Sequence, residues 1–425
     1  MKNYKILRVI NLYEEIFLDF IKKQKIDNFS YKEIIKKFKF QSYNYLNSFE
    51  EEMIKQNNQA ELIIYNFELL QDKWIFENGK KNNEYKSKEE KFFNIFCMQL
   101  KFIRPEILFF QHSTPFDLKQ LKYLKDNFSF IKKIIFHNGI IIKNKDLKYV
   151  DYIFSALPQL KLFYNNEGIK SDLVYHYFDE NILKNITKNK TYENDLLFVG
   201  KSGNLKDLNH IKRFNFLKKI LENDDIIFKC YSLEKDRHDK IQLLNIKTLI
   251  RNLILKIISK FPNFIIIYLQ NKKIKNEKIK NIFKDVSKKK DKTNIYLHKI
   301  FKGKIKNSIY GIDMFKEINK SKITFNIHTN ESNNECGNIR MFESTGIGSC
   351  LLTDYKKNIV DLFIPDEEIL TYKDYHEFYS KYCEVISNQK LLDEIRLKGQ
   401  KKTLREHSTK VRVDQMNNLI NKILN

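Results

Sequence analysis

Short apolar runs alternate with amphipathic stretches along the first half of the chain. In the first fifty residues, apolar side chains recur at three- and four-residue spacing, as at Phe17, Phe20 and Ile21, and this pattern predicts amphipathic helix. Further along, runs with the length of buried strands lie at residues 61–65, 107–110, 132–136 and 152–155. Strands of this length separated by helical spacers are typical of a parallel sheet in an α/β domain.

A second series of strands follows a polar stretch rich in Asn and Lys at residues 184–194, which we predict to be a linker. Its predicted elements are strands at 195–200, 226–230, 322–328 and 349–354, a helix at 210–221 and a helical tail from Leu391. A chain of 425 residues also exceeds what one core usually organises. We therefore predict an α/β fold with two Rossmann-like domains, at residues 1–190 and 191–410, and a C-terminal helix at 411–425 that crosses back.

The charge of the chain is strongly positive, with 77 Lys and Arg against 53 Asp and Glu and a formal net charge of +24. Such a field attracts anionic membranes, nucleic acid or phosphorylated small molecules. The lysines are spread along the chain, so the alternative is that lysine is simply the general solubilising residue. An apolar helix predicted at 249–261 is either an ordinary core helix or one that lies on a membrane surface.

The cysteines and the apolar runs indicate in which cell compartment the protein works and whether it binds a metal. The five cysteines are scattered and form no CxxC pair, which argues against a disulfide framework or a zinc site. No apolar run reaches the roughly 18 residues of a membrane span. We expect a cytoplasmic protein whose membrane contact, if any, is peripheral at the inner face. No Asp-x-Asp element stands in a metal-binding setting, so neither a metal nor another cofactor is expected.

The polar segment at residues 331–354 combines three features of an anion site. A strand predicted to end at His328 leads into a polar, Gly-containing loop at 330–338, whose backbone N–H groups can approach a ligand. A short helix is predicted to begin near Asn338, and its N-terminal dipole favours a phosphate. Glu335 and Glu343 flank this helix start, with Arg340 between them.

The spacing of Glu335 and Glu343 limits what they do together. Eight helical residues rise about 12 Å, whereas an acid and a base acting on one glycosidic bond stand roughly 5 to 9.5 Å apart. The spacing suits two hydroxyl-bearing rings, with Arg340 and the helix start on a diphosphate between them. The structural alternative is that the Glu and Arg residues cap the helix and that Gly346 and Gly348 end it.

Several further pieces carry a resemblance to a known family. In order along the chain they are residues 311–315 (GIDMF), 321–328 (SKITFNIH), 337–343 (GNIRMFE), 345–348 (TGIG), 351–354 (LLTD), Glu368 with Tyr372, Gly399, 404–407 (LREH) and Arg412. From about Gly311 onwards the chain resembles the glycosyltransferases with a spore-maturation-protein-B-like (CgeB-like) C-terminal domain. That group is distantly related to the retaining glycosyltransferase family four.

The resemblance implies a GT-B fold, in which two Rossmann-like domains face each other across a cleft and the C-terminal domain holds a nucleotide sugar. It implies metal-independent, retaining transfer of a sugar to a glycan, lipid-linked or protein acceptor. By this resemblance, Glu335 binds the donor sugar and Glu343 the ribose. The donor-binding residues that it suggests are Gly200, Lys201, Arg213, His328, Glu335, Gly337, Asn338, Arg340, Glu343, Gly346 and Gly348.

The acceptor side is marked only by two histidines that follow predicted strands. His112 and His137 stand where open α/β sheets bind ligands, and either could deprotonate an acceptor hydroxyl, so both are catalytic candidates with Glu335. The alternative function is a non-catalytic basic binding or scaffold protein for anionic membrane or nucleic acid. Nucleic acid is the less expected partner because no RNA-recognition or zinc-finger pattern is present.

Overall fold

The computed structural model describes residues 3–26, 28–43, 46–79, 85–111, 115–142, 147–187, 191–232 and 295–424. The chain divides into two compact units, residues 1–198 with 225–228 and 309–425, and residues 199–224 with 229–308. The apolar helix predicted at 249–261 lies outside the described residues. The domain boundaries predicted at 190 and 410 stay a prediction.

The first sheet is six-stranded and parallel. Its strands are β1 (Lys5–Ile10), β2 (Gln59–Ile64), β3 (Ile107–Gln111), β4 (Lys133–Asn138), β5 (Tyr152–Ser155) and β6 (Ser171–Leu173), in the order β2-β1-β3-β4-β5-β6. Its helices are α1 (Glu14–Lys23), α2 (Tyr31–Phe40), α3 (Phe49–Lys55), α4 (Glu68–Glu77), α5 (Lys88–Ile103), α6 (Leu118–Asn127) and α7 (Pro158–Asn166). The crossover helices bury both faces of the sheet, as a parallel sheet requires.

The prediction of helix throughout the first fifty residues is wrong for β1, which lies inside the sheet between β2 and β3. Its sequence KILRVI has apolar residues on both faces, and Arg8 interrupts the run, so local spacing does not distinguish strand from helix. Helices do follow, and local chemistry explains where they begin. Ser30 and Glu33 form a reciprocal capping box at the start of α2, and Asp117 and Gln120 form another at α6.

The second sheet is also six-stranded. Its strands are β7 (Asn194–Val199), β8 (Phe228–Tyr231), β9 (Ile305–Lys306), β10 (Ser321–Asn326), β11 (Cys350–Asp354) and β12 (Leu370–Tyr372), in the order β12-β11-β10-β7-β8-β9. The pairs β12–β11, β11–β10, β10–β7 and β8–β9 are parallel. The helices are α8 (Ile211–Glu222), α9 (Leu297–Ile300), α10 (Gly311–Asn319), α11 (Ile339–Ile347), α12 (Tyr375–Ser387), α13 (Gln389–Glu406) and α14 (Thr409–Leu424). The predicted fold class, with two Rossmann-like sheets, is confirmed.

The C-terminal helix α14 crosses back to the first sheet. Its buried residues Val413, Met416 and Ile420 pack in one cluster with Ile107 and Ile135 of β3 and β4. The last part of the chain therefore completes the core that the first part begins. In the part of the chain that the structure describes, no helix combines the length and the apolar character needed to cross a bilayer.

Candidate functional site

The strand–loop–helix segment has the predicted form. Strand β10 ends at Asn326, and α11 begins after Asn338, which takes the N-cap position. Gly348 ends the helix with φ of 89°, a left-handed conformation that favours glycine. Gly348 therefore ends α11, as the structural alternative predicted.

Hydrogen bonds between side chains tie the ends of β10 and β11 to the start of α11. Asn326 donates to Thr353 Oγ1 at 2.9 Å, and Asn338 Nδ2 donates to Asn326 Oδ1 at 2.8 Å. Asn326 and Thr353 are register partners on adjacent parallel strands. The Asn338 side chain is thus used in the network and makes no capping hydrogen bond to its own helix. The carboxyl ends of parallel strands are where open α/β sheets bind ligands.

The buried His328 and the partly buried Asp354 form a pair at this edge. The Asp354 carboxylate accepts from the His328 backbone N–H at 2.9 Å and contacts His328 Nδ1 at 2.7 Å, and Lys356 Nζ lies 3.0 Å from its other oxygen. Burial opposes ionisation, but His328 and Lys356 together hold the pKa of Asp354 well below its usual range. The His328 side chain is 2% exposed, and its Nε2 has no hydrogen-bond partner among the described residues.

Glu335 lies in the loop with its carboxylate buried. One oxygen accepts from the backbone N–H of Gln159 at 2.8 Å, in the first turn of α7, and the other lies 3.0 Å from Lys357 Nζ. The carboxylate therefore complements the N-terminal dipole of α7, which is a capping contact made between distant segments. Two contacts do not exhaust the acceptor capacity of an ionised carboxylate.

Further bonds fix the shape of the loop around Glu335. The Gln159 side chain donates to the carbonyl oxygen of Ser332 at 2.8 Å. Asn358 accepts from the backbone N–H of Cys336 at 2.8 Å and donates to the Tyr175 hydroxyl at 3.3 Å. A Cβ on Gly337 would lie 3.0 Å from the carbonyl oxygen of Ala156, so a larger residue has little room there. The loop is therefore held both by Gln159 and Tyr175 from the first sheet's part of the chain and by Asn358, which follows β11 of the second sheet.

Glu343 and Arg340 form an ion pair along one face of α11. Arg340 Nη1 lies 2.6 Å from Glu343 Oε2, and the two side chains are 17% and 9% exposed. Burial raises the pKa of Glu343, and the charge of Arg340 opposes that rise. Arg340 Nε is buried without a hydrogen-bond partner in the described parts of the chain. Further along α11, a Cβ on Gly346 would overlap the Phe178 ring, so this glycine permits close packing.

The three candidates for phosphate contact near the second sheet's β7 lie in the other compact unit. Gly200 directly follows β7, and Arg213 on α8 donates to the carbonyl oxygen of Lys201 at 2.9 Å. Lys201 Nζ also lies 3.2 Å from Asp207, so part of its charge is balanced locally. The structure brings these three predicted residues together at one strand end.

Of the two acceptor-side histidines, the structure describes His137. His112 lies outside the described residues. His137 on β4 is fully buried, and its Nε2 is 2.9 Å from the carbonyl oxygen of Val174. Burial lowers the pKa of His137 to about 4. In this state His137 is neutral at pH 7, and its catalytic role stays a prediction.

Sequence reasoning missed the partners of the predicted residues. Asp354, Lys357 and Gln159 were not among the site candidates, although each contacts one of them, and Lys356, also not a candidate, contacts Asp354. A signal existed for Asp354, because it ends the predicted strand at 349–354, which follows the strand predicted to end at His328. Among the residues that the structure describes, no group of three or more His, Cys, Asp or Glu side chains could hold a metal ion.

Comparisons with known proteins bear on the same segment. A family model described as "Glycosyl transferase-like" matches residues 281–418. No curated protein matches the chain in sequence. The chain as a whole is similar in structure to a glycosyltransferase from Rickettsia africae, with a TM-score of 0.53 at 11% identity over 100% of this chain and 99% of that one.

Two further solved structures are similar over nearly their whole length. Sucrose-phosphate synthase from Thermosynechococcus elongatus has a TM-score of 0.54 at 8% identity, covering 99% of each chain. HepE from Anabaena, solved in complex with UDP-glucose, has a TM-score of 0.53 at 7% identity, covering 99% of this chain and 100% of that one. At these identities the likeness concerns the fold, which is of the GT-B type.

Proposed function

We propose that this protein is a glycosyltransferase that moves a sugar from a nucleotide-sugar donor to a glycan, lipid-linked or protein acceptor. The observation that carries the proposal is the pair of buried carboxylates, Glu335 and Glu343, on either side of the start of α11. The segment that contains them lies within the residues matched by the glycosyltransferase-like family model. The fold supports the same proposal, because one structural neighbour is solved with UDP-glucose.

The donor roles follow from the chemistry of each side chain. Glu335 accepts hydrogen bonds from the transferred sugar and Glu343 from the ribose, since ionised carboxylates are acceptors only. Arg340 and the N-terminus of α11 serve the diphosphate, because Arg340 still has a free buried Nε–H donor among its described contacts. His328, whose Nδ1 faces Asp354, presents Nε2 to the donor.

The remaining residues complete the donor set in this proposal. Gly200, Lys201 and Arg213 stay proposed phosphate contacts, because they lie together at the end of β7, a strand end that precedes a helix. Gly337 and Gly346 permit close packing around the loop and α11, and Asn338 fixes the start of α11. Transfer is proposed to be metal-independent and retaining, with a hexosyl donor and a role in cell-surface polysaccharide synthesis. His137 or His112 would serve the acceptor hydroxyl.

The test is donor binding by the full chain. UDP, GDP and UDP-hexoses are titrated in a thermal-shift assay, followed by donor hydrolysis assays. At least one nucleotide diphosphate is expected to raise Tm, by mass action on the folded state. In Glu343→Gln the nucleotide-dependent rise falls while the ligand-free Tm stays near that of the wild type.

The matched control is Glu384→Gln, which changes an exposed glutamate on α12. This variant should keep the full nucleotide response. If no nucleotide raises Tm in the wild type, the proposed function is wrong. If Glu343→Gln lowers the ligand-free Tm but keeps the full nucleotide-dependent rise in Tm, the ion pair with Arg340 is structural only.

The net charge of +24 favours a second candidate, a basic binding protein for an anionic membrane. Retention on vesicles of anionic phospholipid, lost with rising salt, would support it. Retention on DNA of equal charge density would point instead to a general polyanion effect. The donor titration decides between this candidate and the enzyme, because membrane binding requires no nucleotide response.

A further inference from the structure

A second polar group of side chains lies inside the first sheet's layer, next to α14. Its members, which we call the basic edge cluster, are Arg8, Gln111, His137, His176, His407 and Arg412. All six are buried, with exposures between 0% and 8%. They come from five separate stretches of the chain, namely β1, β3, β4, the segment after β6, and the junction of α13 and α14.

Members of the cluster lie next to one another in the fold. Arg8 donates to Gln111 Oε1 at 2.9 Å, and Gln111 is the register partner of His137 on the adjacent strand. The rings of His137 and His176 are 5.1 Å apart. The charge of Arg412 lowers the pKa of both histidines, although burial contributes more, so Arg412 lies within reach of this pair.

The two arginines of the cluster have different electrostatic environments. Arg8 forms a buried ion pair with Glu50, at 2.6 Å and 2.9 Å. Arg412 instead donates to neutral acceptors, Gln415 Oε1 at 2.9 Å and the carbonyl oxygen of Glu406 at 3.3 Å, and its Nη2 lies 2.9 Å from His407 Nδ1. In the described ranges no carboxylate lies within ion-pairing distance of Arg412.

Two hydrogen-bond donors of the cluster are also left over. Arg412 Nε and Gln111 Nε2 are both buried and have no partner among the described residues. A buried guanidinium without a counter-charge is costly, and each buried donor without an acceptor adds to that cost. Burial accordingly lowers the pKa of Arg412 to about 10. The hydrogen bonds of Arg412 to neutral acceptors use Nη1 and Nη2, so its Nε–H and its positive charge are left without a partner among the described residues.

We infer that the basic edge cluster binds an oxyanion of the phosphate class that the acceptor carries. A phosphate provides the acceptor oxygens that Arg412 Nε and Gln111 Nε2 lack, together with the negative charge that Arg412 lacks. Two members of the cluster, Gln111 and His137, lie near the carboxyl ends of β3 and β4, the edge at which open α/β sheets bind ligands. The inference rests on the proposed function, in which the first sheet serves the acceptor and the second the donor.

The experiment uses the full chain and methyl phosphate as the probe, with and without saturating UDP. Methyl phosphate should raise Tm, and the rise should persist on top of the UDP response. In Arg412→Met the ligand-free Tm should stay the same or increase, because an uncompensated buried charge is removed. The Kd for methyl phosphate should rise by about tenfold or more, as expected for the loss of a charge-assisted hydrogen bond.

Arg405→Met is the matched control, because Arg405 is a 67% exposed arginine on α13 that pairs with Glu406. This variant should keep the methyl phosphate response. If Arg412→Met does not fold, Gln111→Leu gives the second measurement, with the guanidinium still in place. Its methyl phosphate response should be weakened.

Three results would overturn the inference. The first is that methyl phosphate does not change the Tm of the wild type. The second is that Arg412→Met or Gln111→Leu responds to methyl phosphate as the wild type does. The third is that UDP and methyl phosphate compete and that Arg412→Met loses the UDP response. The last result would assign the cluster to the donor. A missing UDP response contradicts the proposed glycosyl transfer instead, so the two failures are distinguishable.

Discussion

Both sheets have six strands, but they differ in strand order, and their carboxyl edges have opposite chemistry. At the second sheet, the buried acids Glu335 and Glu343 and the partly buried Asp354 each contact a cation. At the first sheet, Arg412 of the basic edge cluster lies among histidines with no described carboxylate within ion-pairing distance, whereas Arg8 of the same cluster is paired with Glu50. The fold thus provides equivalent positions, and the residues at the strand ends decide which charge a ligand must carry.

Acid pairs and basic clusters also respond differently to ligands. A carboxylate that already has a cation can accept hydrogen bonds from sugar hydroxyls without breaking its ion pair, because an ionised carboxylate has several acceptor sites. An uncompensated guanidinium gains a full counter-charge only when an anion binds. The first edge is therefore expected to show larger stabilisation by a small anion, and the second by a neutral polyol linked to a diphosphate.

The largest expected effect is on catalysis at the acidic edge. Glu335→Gln keeps an oxygen that can accept from Gln159 N–H but removes the charge. We expect kcat/KM for the donor to fall by about 10² to 10³, the range seen when one polar group is removed from a transition-state site. Steady-state kinetics measure it, with Glu384→Gln as the exposed control. Activity within about twofold of the wild type would remove Glu335 from the proposed site.

The next effect concerns the stability of the basic edge in acid. His407 accepts from Arg412 through Nδ1 and donates to the carbonyl oxygen of Leu362 through Nε2, so it must be neutral. Burial first, and Arg412 second, lower its pKa to about 4. The unfolded chain therefore binds a proton that the folded chain does not as pH falls from about 6.5 towards 4. Stability should decrease across this window by on the order of 3 kcal/mol for this group.

The comparison is between the wild type, His407→Gln and His376→Gln. Chemical denaturation at pH 7 and pH 4.5 should show a smaller acid loss in His407→Gln. His376 is exposed on α12, so its substitution should leave the loss unchanged. Equal acid losses in all three proteins would contradict the buried neutral state of His407.

The smallest effect is at the acidic edge and lies in a lower pH window. The folded pKa of Asp354 is depressed, so its stabilising contribution is present above about pH 4 and decreases as pH falls towards the folded pKa. Asp354→Asn should lower the free energy of unfolding at pH 7 by on the order of 2 kcal/mol. The difference from the wild type should shrink at pH 3. A difference that is the same at both pH values would mean that the amide replaces the carboxylate fully.

Much of the fold could be predicted because it follows from local patterns of apolar and polar residues. The strands β3, β4, β5, β7, β10 and β11 lie within two residues of their predicted positions, and α11 begins at the predicted Asn338. Strand β1 could not be predicted in this way, because its apolar residues face both sides of the sheet. Its identity depends on pairing with β2 and β3, which lie tens of residues away.

The sequence by itself determined the alternation of strands and helices, the strand–loop–helix segment and the presence of Glu335, Arg340 and Glu343 within it. These follow from spacing within a few turns of chain, where local propensity and side-chain period act. Only the tertiary structure decided that Asp354 orients His328, that Glu335 meets α7, and that Arg412 lies beside His407 and near His137. Apart from the short-range contact of Arg412 with His407, these contacts depend on strand register and helix packing between distant segments, and no local pattern encodes them.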